Sequence, residues 1–484
     1  MKRVSCAFVS LIIFLTSALC IPSGTVFASS SDREEQQDAQ TVRLYVSCDN
    51  IQDYLLTSIA DSNQYTRYYA SEDTHLKFTA YAPVKSLYVM IDKPFIWTLT
   101  LPGGDIVKGG ENEYLHEYIA LDKETTSFEI DIPAGGSISN VYAFTDGRIP
   151  DWVQIWQPPC RRADLMVMPT HADDEYLWFG GAIPYYAGEL GYNVQVVYLT
   201  YHSKQKYRCH ELLNGLWKVG VRNYPIITER FIDTLATKWS MESAEKYFGR
   251  DNVTEFQVEM LRRFAPRVII AHDINGEYGH GAHILNASTL LDALQIYEDA
   301  SVYPESAQKY GIHKVQKCYL HLWNENQITV QWSEKKLGNF GGRSALDMAR
   351  EGYYCHRSQQ KWENHMFQYG AYDCRKFGLA YTTVGYDSPG LNDMFENVDW
   401  YDKTKAEIQD EAEANAAQNA DSQENTPETL SASDKKSGSR LKARNITLSL
   451  FGRKIMIQDI VVAATAMVIS LVSIIIVICL KKRE

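Results

Sequence analysis

With 484 residues, the chain has room for two or three domains, and its formal net charge of -12 leaves no basic surplus for a nucleic-acid footprint. An aromatic content of 12%, with 31 Tyr, excludes a chain that stays unfolded throughout and implies large packed surfaces.

Lys2 and Arg3 precede an apolar run over residues 4–19, and Val26-Phe27-Ala28 offers a small-residue cleavage site. This is the pattern of a secretory signal peptide over residues 1–28. From 42 to 148 the sequence breaks into short alternating runs at 76–81, 86–91, 95–101, 116–121, 127–132 and 141–144. Pro102-Gly103-Gly104-Asp105, Gly109-Gly110 and Pro133-Ala134-Gly135-Gly136 punctuate them, and this spacing predicts an antiparallel β-sandwich. Trp97, Tyr68 and Tyr69 are its candidates for stacking on a sugar; core packing or turn filling is the competing use. Residues 149–162, with Pro150, Pro158, Pro159, Trp152 and Trp156, read as a connector.

The chemistry concentrates in residues 160–402. Leu165-Met166-Val167-Met168 reads as a buried strand. Pro169 and Thr170 end it, and His171, Asp173, Asp174 and Glu175 follow within five residues. Polar residues at the carboxyl end of a buried strand stand where open α/β sheets place their sites. An imidazole with two or three carboxylates suits a divalent cation such as Zn2+; a loop of solvated carboxylates capping a helix is the alternative. Gly180 and Gly181 lie in an apolar run that reads as a helix packed closely on the sheet.

A second strand is expected at 194–200 and a helix from Arg208 to Trp217. Phe231-Ile232 reads as another strand end, which puts Asp233 at the pocket or in an ordinary loop. A helix at 254–264 feeds a strand at 268–270. Directly after it comes A-H-D-I-N-G-E-Y-G-H-G-A-H, residues 271–283, in which His280 and His283 are spaced to face one cavity. A helix at 283–297, a strand at 317–323 and a helix at 345–360 complete the pattern.

The two polar stretches together resemble the PIG-L (LmbE-like) deacetylases. Thr170-His171-Ala172-Asp173-Asp174-Glu175 is similar to the family's Pro-His-Pro-Asp-Asp-Glu, and Glu277-Tyr278-Gly279-His280-Gly281-Ala282-His283 to its Gly-Tyr-Gly-His-Pro-Asp-His. The resemblance implies a three-layer α/β sandwich with a Rossmann-like parallel sheet that binds zinc and removes N-acetyl groups from amino sugars. It implies His171, Asp174 and His283 as zinc ligands and Asp173 as the base. It further implies His280, assisted by Tyr278, as the oxyanion or leaving-group partner, and Arg208 as a substrate contact. Two departures stand out: Ala172 replaces a proline, and Gly281-Ala282 replaces Pro-Asp, which removes a carboxylate.

Residues 403–457 are dominated by Ala, Glu, Asn, Gln, Asp and Ser and read as a disordered stalk. Residues 458–480 read as a transmembrane helix, since 460–480 carry no charge and suffice for roughly 30 Å of hydrocarbon. Lys481, Lys482 and Arg483 then form a cytoplasmic tail at 481–484. With the signal peptide, this places the catalytic region outside the cell on a single-pass anchor. Six cysteines lie outside the two apolar ends, an even set that permits disulfides without fixing their pairing. The expectation is therefore an exported, membrane-tethered zinc N-deacetylase of surface glycans or glycosides, of open oligomeric state. A glycan-binding protein with an inactive deacetylase-like domain, or another amide hydrolase on the same scaffold, are the alternatives.

Overall fold

The computed structural model describes residues 37–362 and 366–400, and the backbone of a hairpin at 447–450 and 453–456. The expected signal peptide, membrane span and tail lie outside the described residues, as does most of the expected stalk. Among the described residues, no helix is long and apolar enough to cross a membrane. The hairpin lies in a unit of its own, Lys405–Glu484. Thr447–Leu450 pairs there antiparallel with Arg453–Met456. These positions are therefore not the structureless chain expected across 403–457; alternating Leu448, Leu450 and Ile455 give them a period that can pair.

The first sheet comprises β1 (Thr41–Val42), β2 (Leu44–Ser47), β3 (Tyr68–Tyr69), β4 (Thr74–Ile91), β5 (Trp97–Thr100), β6 (Ile106–Gly109), β7 (His116–Ile132) and β8 (Ser137–Phe144). Its order is β1-β8-β4-β7-β5-β6, with β2 on β4 and β3 on β8, and every pairing is antiparallel. Runs expected as separate strands merge: 76–81 with 86–91 in β4, and 116–121 with 127–132 in β7. The β4–β7 register shifts between Thr79 and Val84 and again before Ser86, so the strands bend at bulges instead of stopping. Pro83 sits at this irregularity, where no ladder N–H is required. The strands expected in the antiparallel β-sandwich thus join in one hydrogen-bonded ladder with bulged long strands. Trp97 is 2% exposed and lies in the core, so it offers no face to a sugar.

The second sheet contains β9 (Leu165–Met168), β10 (Val194–Tyr198), β11 (Ile226–Ile227), β12 (Val268–Ala271), β13 (Lys317–His321), β14 (Ile328–Thr329) and, after a small ladder of β15 (Lys336–Leu337) with β16 (Arg343–Ser344), β17 (Lys376–Thr382). Its order is β11-β10-β9-β12-β13-β17-β14. The strands from β11 to β13 are parallel, and β17 and β14 close the edge antiparallel. Alternate residues of the central strands enter different cores. Leu165, Val167 and Ile270 pack with the helices Tyr207–Lys218 and Ala345–Tyr354. Met166, Met168 and Ile269 pack with the helices Met241–Phe248, Arg250–Phe264 and Gly281–Ile296. Strands buried on both faces between helices make an α/β fold in three layers.

The first of these cores runs on into the antiparallel sheet through Tyr114, Trp156 and Tyr224, with Tyr114 stacked on Tyr224 at 4.3 Å. The helix expected around Gly180-Gly181 is instead a short helix, Asp174–Leu177, followed by a π-helical turn, Pro184–Glu189. Gly180 holds φ +55, and a Cβ there would meet the Trp332 ring at 2.7 Å, so close packing and a left-handed backbone replace the regular helix. The late helix ends at Tyr354, short of the expected Gln360, and His356 turns inward. All six described cysteines are free thiols, and Cys160, Cys209, Cys318 and Cys374 are buried.

Candidate metal centre and catalytic pocket

The parallel strand order reverses direction between β9 and β12, which are neighbours in register, Met168 beside Ala271. Loops leaving two such strands diverge and open a crevice. The first loop carries His171 and leads into the helix Asp174–Leu177. The second leads through the turn Glu277–Gly279 into the helix Gly281–Ile296. Both polar stretches thus reach one place, from strand ends 103 residues apart (271 − 168).

His171 Nδ1 lies 3.1 Å from His283 Nε2 and 3.1 Å from Asp174 Oδ2, and His283 Nε2 lies 3.3 Å from that same oxygen. All three side chains are buried. The outer nitrogen of each ring faces its own carboxylate: His283 Nδ1 donates to Glu277 Oε2 at 2.7 Å, and His171 Nε2 lies 3.5 Å from Asp233 Oδ1. Protons on those outer nitrogens leave lone pairs on the inner ones, converging on a carboxylate oxygen. A cation within the cluster would satisfy all three of these atoms at once. Tetrahedral Zn2+ with bonds of roughly 2.0–2.1 Å separates its ligands by about 3.3 Å, so the residues fit this ion. His171, His280 and His283 form a second, overlapping group of buried donors, and Asp174, His272 and His283 a third. His272 Nε2 accepts the Thr170 N–H at 2.9 Å, which occupies the lone pair that it would need as a ligand.

The cluster is held on several sides. The His171 N–H donates to Asp174 Oδ2 at 2.7 Å, and Trp178 Nε1 donates to Asp174 Oδ1 at 2.9 Å, fixing the carboxylate plane. Asp233 also lies 3.3 Å from His202 Nδ1, and His171 and His202 hold its carboxyl below the usual range against the push of burial. The strand before Asp233 is Ile226–Ile227; Ile232 itself makes only an isolated bridge to Tyr201, short of the strand end expected at 231–233.

Asp173 stands beside the donor cluster. Its backbone has φ 132, a strained value for a residue with a Cβ. Its N–H donates to Glu175 Oε2 at 2.8 Å, and His356 Nε2 lies 2.8 Å from Glu175 Oε1. Arg208 lies 3.2 Å from Asp173 Oδ1 and also donates to the Ala172 carbonyl. Burial, opposed by Arg208 but helped by Asp174 and Glu175, pushes Asp173 up to about 6.

A cavity of about 580 Å³ opens above these groups, lined among others by His171, Asp173, Asp174, Arg208, Asp233, Tyr278 and His280. Trp178, Tyr353, Phe367 and Tyr372 give it aromatic walls, and Lys238 and Gln359 add polar ones. Burial, with His171 and His283 alongside, pushes His280 down to about 2, so its ring is neutral. His280 Nδ1 is buried and has no partner among the described residues. An Nδ1–H there would lack an acceptor, which leaves the proton on Nε2. Tyr278, 49% exposed and at φ 48, stands with its ring 5.6 Å from that of His280.

Of the eight candidate site residues, all but His283 line this cavity, and His283 touches His171 and Asp174, which do. Arg208 is engaged by Asp173, and Asp233 by two histidines, so neither side chain stands free in the cavity. Sequence reasoning passed over Glu277, His202, His321 and His356. Glu277 stood inside a quoted motif, but only the fold shows that its carboxylate meets three histidines.

No protein-family model matches the chain. The 1D-myo-inositol 2-acetamido-2-deoxy-alpha-D-glucopyranoside deacetylase 2 of Saccharopolyspora erythraea is 28% identical over 173 residues, which cover 31% of this chain and 63% of the relative. The corresponding deacetylase 1 of Frankia casuarinae is 25% identical over 200 residues, covering 36% of this chain and 64% of the relative. The chain therefore spans a little under two thirds of the length of these relatives. Among solved structures, the N,N'-diacetylchitobiose deacetylase of Pyrococcus horikoshii is 17% identical, with 43% of this chain and 78% of that one covered at a TM-score of 0.29.

Proposed function

Because the chain is a relative of the PIG-L (LmbE-like) deacetylases, we propose that its α/β region is a zinc-dependent hydrolase that removes the acetyl group from N-acetylglucosamine-type sugars. The observation that carries this reading is the meeting of three lone-pair atoms, 3.1–3.3 Å apart, on the wall of a cavity that also holds Asp173.

His171, Asp174 and His283 would hold the ion. When bound, it supplies an acidified water and polarises the acetyl carbonyl. Asp173 takes the proton of the attacking water on its carboxylate and returns it to the departing amine nitrogen. A carboxyl pushed up to about 6 suits a base that must also give its proton back near neutral pH. Arg208 keeps this carboxyl oriented, and Glu175 pins the strained peptide that carries it. His280, neutral with its proton on Nε2, donates toward the oxygen that gains charge. Tyr278 closes the same side at the mouth. The aromatic walls offer faces to the sugar ring.

The same proposal places the enzyme outside the cell on a C-terminal anchor. Its support is the sequence alone: the signal-peptide pattern at 1–28 and the uncharged run at 460–480. Protease treatment of intact cells tests it; degradation of the α/β region is expected, and full protection contradicts it.

The catalytic test is acetate release from N-acetylglucosamine-containing substrates by the zinc-loaded protein and by Asp173→Asn. Release that falls steeply in the variant supports the reading, and equal release rejects Asp173 as the base. A second reading, glycan binding without turnover, rests on Ala282, which offers no carboxylate to the unpartnered His280 Nδ1. Bound zinc without acetate release across a broad panel would favour it.

A further inference from the structure

One buried carboxylate near the centre has no part in the steps above. Glu277 is fully buried, and its two oxygens meet four donors. Oε2 accepts from His283 Nδ1 at 2.7 Å and His272 Nδ1 at 2.8 Å. Oε1 accepts from His321 Nδ1 at 2.8 Å and the Asp273 N–H at 3.2 Å. The rings come from three places: His272 directly after β12, His283 from the first turn of the helix Gly281–Ile296, and His321 from the end of β13. Against the push of burial, His272 and the other two rings hold the Glu277 carboxyl well below its usual range.

We propose that Glu277 is the positioning residue that fixes the tautomer and angle of His283, and that one carboxylate shared by three imidazoles sets how tightly the centre keeps its ion. The inference rests on the metal reading given above. His283 can offer Nε2 to an ion only while its proton is on Nδ1, and Glu277 Oε2 is the acceptor that keeps it there. His272 cannot turn to compete, because its Nε2 already accepts the Thr170 N–H. His321 has both ring nitrogens against acceptors, Glu277 Oε1 and the Asp373 carbonyl at 3.2 Å, and so anchors the far side of the carboxylate. Glu277 lies six residues before His283 and on the turn that also carries Tyr278. The residue next to His283, Ala282, has no side-chain acceptor to take over this task.

The test measures zinc affinity by chelator competition on the full chain, with Glu277→Gln and His321→Asn beside the wild type. Cobalt-loaded samples add a ligand-field spectrum. Glutamine keeps the shape but replaces one acceptor oxygen with an amide donor. The expected result is stoichiometric zinc in the wild type, affinity roughly 10–100-fold weaker in Glu277→Gln with an altered cobalt spectrum, and a smaller loss in His321→Asn. Glu277→Gln binding within about threefold of wild type, with the same spectrum, overturns the inference and leaves the metal reading standing. A wild type that binds no zinc overturns both. Should Glu277→Gln fail to fold, nitrogen NMR of the wild-type His283 ring decides: the Nδ1–H tautomer supports the proposal and the Nε2–H tautomer overturns it.

Discussion

Asp173 holds a φ of 132 that costs a side-chain-bearing residue on the order of 1–3 kcal/mol, and Glu175 and Arg208 hold it there. Asp173→Asn preserves that geometry and removes the basic oxygen, so kcat is expected to fall on the order of 10²–10⁴-fold while zinc content is unchanged. Steady-state acetate release and metal analysis check both halves, and a loss below threefold would count against this assignment. At this scale the sequence was most legible where the site is contiguous. His171, Asp173 and Asp174 stand close together, with only Ala172 between them, just after an unmistakable strand. His356 was not legible, because its partner Glu175 lies 181 residues away, and Glu277 was not, because local spacing does not say that its carboxylate turns inward to His272, His283 and the distant His321.

Between elements, the helix Tyr207–Lys218 joins the two sheets. Its Arg208 faces Asp173, whereas its His210 lies 2.8 Å from His116 of β7 and 3.1 Å from Asp92 beyond β4. Burial and the adjacent His210 hold His116 well below the ordinary imidazole range. The groups facing it are Tyr88, Gln154 and His210, with Asp92 behind. The unfolded chain therefore binds a proton near pH 6.5 that folded His116 refuses, and this contribution to stability falls as pH drops below about 6.5. Asp173 acts oppositely, because its folded carboxyl takes up a proton near 6 before the unfolded one does. The readout is thus the difference between wild type and His116→Asn in urea midpoints from pH 7 to 5. A shallower decline is expected in the variant, and parallel curves would contradict the buried neutral ring. Gly180→Ala, which drives a Cβ to 2.7 Å from Trp332 at φ +55, is expected to cost about 2 kcal/mol or more by the same denaturation. Strand and helix types in the α/β region followed from apolar runs, but strand continuity in the first sheet did not. Turn residues such as Pro83 signal an interruption equally well when they sit in a bulge.

For the molecule between residues 37 and 400, the antiparallel sheet packs into the same body as the α/β region. Tyr65 donates to the buried Glu211 at 2.8 Å, and Glu211 also accepts from Ser358 N–H at 2.8 Å and Ser358 Oγ at 2.6 Å. Ser358 adjoins Gln359, which lines the cavity. Removal of residues 37–148 would expose the shared apolar core and strip these partners, so the shortened chain is expected to be insoluble or to melt without cooperativity. A soluble, cooperatively melting fragment would contradict that view. Composition had suggested two modules joined by a connector, and burial across their boundary was invisible to it. His171, Asp174 and His283 are proposed to share one ion, with Asp173 outside its coordination. Anomalous diffraction from zinc-loaded crystals decides this: a single strong peak bounded by those three side chains is expected, and a peak outside their reach, or coordinated by Asp173, would refute the assignment.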